Sequence, residues 1–136
     1  MNILLHLKQI NNDYIFFGET IKNSIIENGM FTRLIYSDKL MSLNGLYLVF
    51  EDKINHKESI NTLIELEKII LFKANVNNKV CQYKIKDYLR YLNARLGSEF
   101  QLNRYILKIS GIWENTHEYG ITFKFLDVKN NCPIHL

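Results

Sequence analysis

The chain has 136 residues, 47% of them hydrophobic and 23% charged, and a net charge of +3. That is the make-up of one ordinary globular domain, large enough to bury a core without disulfide or metal staples, and it excludes a disordered tail. No apolar run approaches the ~18 residues a membrane-spanning helix requires, and the opening MNILLHLKQI lacks the basic leader and cleavage site of a signal peptide.

Taken in chain order, residues 2–8 read as a strand, NND at 11–13 as a turn, and residues 14–17 as a short strand. Ile21, Ile25 and Ile26 then space as a helical stripe, which Asn28-Gly29 would cap. FTRLIYS (31–37) and GLYLVF (45–50) are aromatic and aliphatic enough to be neighbouring strands. Asn55 followed by Glu58 resembles a capping box. It opens a long helix to about residue 72, with Ile60, Leu63, Ile64, Ile70 and Leu71 on one face. After NVNN and a short strand at VCQY comes the clearest helix of the chain. Ile85, Tyr88, Leu89, Leu92 and Leu96 recur at helical spacing, Lys84, Lys86, Arg90 and Arg95 flank them, and Gly97 ends the run.

Two strands close the sequence, at about 104–113 and 119–127, with ENTHE as the turn between them. Strict alternation puts Tyr105, Leu107, Ile109 and Trp113 on one face, and Ile121, Phe123 and Phe125 on the facing strand. Read so, Trp113 is a buried core residue. Gly111 interrupts the first strand, the usual mark of a bulge or a close backbone approach. The sum is a single α+β domain spanning residues 1–136. It is a mainly antiparallel sheet with about three helices packed on one side.

Sequence chemistry is sparse. The histidines (His6, His56, His117, His135) sit in unrelated settings, with His56 and His117 in polar loops. No nucleophile elbow, zinc motif, calcium loop or phosphate-binding glycine loop is present, so no metal and no cofactor is expected. Asp38 with Glu51 and Lys53 imitates the acid and acid-x-Lys core of restriction-type nucleases. If strands 31–37 and 45–50 form a simple hairpin, however, Asp38 and Glu51 would stand roughly 20 Å apart, six residues at ~3.3 Å each, far beyond a shared metal; parallel strands would revive that reading. Cys81 and Cys132 make no paired or metal-binding spacing. They read as free thiols of a reducing compartment, the cytoplasm or nucleus.

Charge is unevenly placed. From Lys73 to Lys108 there are eight basic residues against Asp87 and Glu99, a local +6 that leaves the remainder acidic. A basic segment in a folded domain attracts phosphate backbones, although 18 Ile, 16 Asn and 13 Lys beside only 4 Arg are also what an AT-rich coding sequence produces. On this reading Lys84, Lys86, Arg90, Arg95, Arg104 and Lys108 contact phosphates, while Tyr91 and Trp113 stack on bases.

Two resemblances bear on this. ISGIW with GITFKFLD is similar to the glycine-containing, aromatic strands of oligonucleotide-binding barrels, though too few residues follow to complete such a barrel. FTRLIYSDKLMSLNGLYLVF together with YILKISGIWENTHEYGITFKF resembles small proteins of insects and insect-associated large DNA viruses. That resemblance implies an intracellular protein of insect or viral origin and carries over no activity and no site residue. The expected function is a non-enzymatic nucleic-acid-binding accessory protein preferring single strands, with no membrane partner. The other reading is a protein-interaction or assembly module, such as a viral structural subunit or a host-factor antagonist. It would bind a protein partner or a second copy, and it requires an apolar surface patch or an unpaired sheet edge.

Overall fold

The computed structural model describes residues 3–50 and 56–128. Among them are eight strands: β1 (Leu4–His6), β2 (Ile15–Asn23), β3 (Gly29–Ser37), β4 (Ser42–Asn44), β5 (Leu46–Val49), β6 (Val80–Cys81), β7 (Tyr105–Glu114) and β8 (Glu118–Asp127). Two helices, α1 (His56–Ala74) and α2 (Lys84–Leu96), join them, with single 3-10 turns elsewhere. All strands belong to one curled sheet, antiparallel except where β1 runs parallel to β5 and β6 to β8.

β7 organises the sheet. One edge pairs with β8 along its whole length. The other edge is shared end to end, by β5 opposite Leu107–Ile109 and by β3 opposite Gly111–Glu114. The chain passes this junction at Gly45, where φ is +85° and a Cβ would lie 2.8 Å from the Ile109 carbonyl oxygen. Gly111 is tighter still: a Cβ there would come within 2.1 Å of the Thr32 carbonyl oxygen. Two glycines therefore let three backbones cross, and the sheet curls about that point.

Both helices cover the same face. From α1, Leu63, Leu66, Ile70 and Leu71 meet Ile85, Leu89 and Leu92 of α2 over Leu34, Leu46, Leu48, Leu107, Ile109, Ile112 and Ile121. Gly97 ends α2 in the left-handed region, with φ +55°, and its N–H donates to the Asn93 carbonyl.

Several expectations are corrected. The helix expected from Ile21 to Asn28 is the end of β2 and a turn, so two helices form among the described residues, not three. Thr20, Ile21, Lys22 and Asn23 pair with Thr32, Phe31, Met30 and Gly29, and the ladder outweighs a three-isoleucine stripe. Segments 31–37 and 45–50 are not a hairpin. β3 turns back onto β4, while β5 pairs with β1 and β7. Asp38 spends its carboxylate on the Leu40 and Met41 N–H groups of that turn. Glu51, Lys53, the Asn55 cap, Cys132 and His135 lie outside the described residues. His56 is the first residue of α1 rather than part of a polar loop. It is half-buried, edge-on to Phe100, and its Nδ1 accepts the Leu102 N–H at 3.3 Å.

Candidate functional site

The face of the sheet away from the helices is set by one irregularity. The β7–β8 register shifts between Ile109 and Gly111, so a single extra residue inverts the alternation along β7. Before the shift Leu107 and Ile109 point into the core; after it, Ile112 does. Trp113 therefore turns away from the helices, opposite to the face that strict alternation assigned it, and is half-buried. Its indole lies over Gly120, where an added Cβ would be 2.9 Å from the ring. Glycine there is space for the tryptophan.

On this helix-free face three rows run across the strands. The first is Ile21, Phe31, Trp113 and Gly120, each paired with the next. The second is Arg33, Gly111 and Thr122. The third is Leu4, Tyr47, Lys108 and Lys124. Arg33 and Lys124 are exposed, and the Lys108 ammonium sits 5.6 Å from the Tyr47 ring centroid, within cation–π range. The rows thus hold three cations and three aromatic rings at known register; the nearest carboxylate along the ladder is the exposed Glu19, in the β2 irregularity opposite Arg33. None of their side chains belongs to the hydrophobic core, and Gly111 and Gly120 are buried only as backbone beneath the rows.

The basic residues expected to act together are divided. Lys108 and Trp113 stand on this face. Lys84, Tyr91 and Arg95 lie along one flank of α2, where Arg95 donates to the Tyr91 hydroxyl at 2.6 Å and sits 6.0 Å from its ring. Lys86 and Arg90 fall on the opposite flank by helical spacing. Arg104 is half-buried beside β8 in an ion pair with Asp127 at 3.5 Å. Phe31, Arg33, Tyr47 and Lys124 were missed, because their proximity to Trp113 depends on strand order and on the bulge. Only Gly111 advertised either one.

A second feature adjoins the first. A groove of about 690 Å³ runs between the outer edge of β8 and α2, with Tyr88 and Tyr91 on the helix side and Ile26 and Trp113 on the other. Tyr88 stacks on Phe125 at 5.3 Å and meets Phe123 edge-on at 6.2 Å, which ties the helix wall to the strand.

Two polar clusters remain inside the fold. The buried Glu67 carboxylate accepts the Ile85 and Lys86 N–H groups at 2.8 and 2.9 Å, capping α2 from α1, and burial pushes its pKa above the ordinary value. Tyr119 lies beside the Cys81 thiol; burial, then that hydrogen bond, pushes the phenol up to about 12. Cys81 is a free thiol. Among the described residues no group of three metal-ligating side chains could hold an ion, and no helix is long and apolar enough to cross a membrane.

These features define a class by architecture: a curled, mainly antiparallel sheet with helices on one face and a basic, aromatic second face. No protein-family model matches the chain, and neither a curated protein nor a solved structure does.

Proposed function

We propose that the protein binds single-stranded nucleic acid on the helix-free face of its sheet. The observation carrying this is the interleaving of Arg33, Lys108 and Lys124 with Phe31, Tyr47 and Trp113 across four paired strands. Cations spaced between rings suit a flexible strand, whose phosphates are met by charge and whose bases stack on aromatic faces without sequence readout. A duplex offers no exposed base faces, so single strands are the better ligand. The assignment moves the interface from the α2 flanks to the sheet, keeps Lys108 and Trp113, and adds Phe31, Arg33, Tyr47 and Lys124.

Fluorescence anisotropy with a labelled oligothymidylate at several salt concentrations tests it. Three phosphate contacts predict a log–log salt slope of about −2, at ~−0.7 per phosphate on a single strand. Arg33→Glu with Lys124→Glu, both exposed, should flatten that slope by about 1.4 units. Lys86→Glu with Arg90→Glu should leave it unchanged. Absence of binding at low salt with tens of micromolar protein overturns the proposal and favours the interaction module. Binding that responds only to the second pair returns the interface to α2.

A further inference from the structure

The edge of β8 is a second surface, which adjoins the sheet face at Trp113 and Lys124. β6 covers it only as far as Tyr119: the Val80 N–H donates to the His117 carbonyl and the Gln82 N–H to the Tyr119 carbonyl, each at 2.8 Å. Those bonds fix which residues of β8 turn their main chain outward, since orientation alternates along a strand. His117 and Tyr119 do, and so Ile121, Phe123 and Phe125 do as well. Among the described residues no strand pairs with β8 beyond Tyr119 on this side. Of the three residues, Ile121 and Phe123 line the groove, Ile121 nearly fully buried and Phe123 half-buried, with the half-buried Phe125 next along the strand, and a ladder left without a strand partner is a template for another strand.

The side chains around the floor narrow the choice of occupant. Residues of an added strand would alternate between the two sides of the sheet. On the helix side they would meet Tyr88, Tyr91 and Phe123, a ring-lined wall that takes apolar side chains. On the other side they would meet Trp113 and the exposed Lys124. Lys84 and Arg95 stand on the same α2 flank as Tyr91, and Asp87 is the only acid lining the groove. A second copy of this chain would bring the same cations to an edge that already carries Lys84, Arg95 and Lys124. An acidic segment complements them. A nucleic acid would use the charges but leave the outward amides and carbonyls without the regular partners a strand supplies.

We infer that the groove between β8 and α2 binds an extended peptide segment of a partner protein as an added strand, with apolar residues alternating with Asp or Glu. The backbone ladder supplies affinity, the Tyr88–Tyr91 wall selects the apolar positions, and the cations select the acidic ones.

Panning the 136-residue chain against a phage-displayed library of random nine-residue peptides, then synthesising the enriched sequences, tests this. Enriched peptides should alternate apolar and acidic residues. At saturation they should slow amide hydrogen exchange at the half-buried Phe123 and Phe125 at least tenfold. N-methylation of the peptide residues facing β8 should weaken binding at least tenfold, while N-methylation of the intervening residues should not. Tyr91→Glu, an exposed change, should weaken binding to a similar degree without altering the circular dichroism, whereas Arg33→Glu should leave it unchanged. The last comparison separates this site from the sheet face, so either assignment can fail alone. Three results overturn the inference: no enriched peptide, peptides that bind without protecting those amides, or peptides indifferent to N-methylation. Protection that instead appears on raising the protein concentration without peptide assigns the edge to self-association and overturns it too.

Discussion

Glu67 is where residue chemistry and architecture meet. Tyr83, at the cap position of α2, makes no side-chain bond to the helix, and the buried carboxylate of α1 takes over its first N–H groups. A negative group at a helix N-terminus is favourable, yet burial outweighs the two bonds and raises the pKa. The folded state then holds the proton more tightly than the unfolded state. Stability from this group is full below the ordinary 4.5 and falls as pH rises through the window above it. His56 has the opposite sign. Burial lowers its pKa, so its contribution is full above 6.5 and is lost as pH falls through the window below that value. Urea midpoints across pH 4–8 should show both slopes; Glu67→Gln should remove the first and His56→Asn the second. Glu67→Ala should cost about 2–3 kcal/mol, because it strands the Ile85 N–H, a buried donor. An unchanged midpoint in that variant would show that water satisfies the amide. The sequence carried a hint, since an acid among the apolar positions of α1 needs a partner, but the partner lay 18 residues away.

At the scale of elements, local pattern was legible wherever a segment settled its own fate. α2 announced itself through Ile85, Leu89 and Leu92 with Gly97 as the stop, and β7 and β8 through alternation. Two elements depended on neighbours. The Ile21–Ile26 stripe looked helical, yet β3 was available to pair with it, and a ladder is a property of two segments. Trp113 had the parity of Tyr105 and Ile109, but the bulge reverses parity beyond it. Gly111 marked the place without stating the consequence. That glycine carries its own prediction. A methyl group there would meet the Thr32 carbonyl at 2.1 Å, and backbone cannot move aside as a side-chain tip can. Gly111→Ala should destabilise the protein by about 3 kcal/mol or more, read as a shift of the urea midpoint at constant slope. Gly97→Ala meets no atom within 4 Å and strains only the backbone at φ +55°, ψ −127°, so it should cost about 1–2 kcal/mol. Equal losses in the two variants would mean that the β3–β7 crossing relaxes freely.

At the scale of the molecule, placing both helices on one face leaves the other face clear of them, and Trp113 stands where that face joins the β8 edge. It lies in the row with Phe31 on the helix-free face and also lines the groove beside β8. As the only tryptophan of the chain it reports on both surfaces. An oligonucleotide stacking on the indole should quench its emission, and salt should reverse the quenching, because phosphate contacts release counterions. A peptide added to β8 should shift the emission to shorter wavelength by excluding water from the ring. That shift should survive the same salt, because it rests on main-chain bonds and apolar contact. Arg33→Glu should weaken the first signal alone, and Tyr91→Glu the second alone. If each substitution weakened both signals, the face and the edge would be one continuous site for a single ligand. If neither did, the indole would be a packing residue over Gly120 and nothing more.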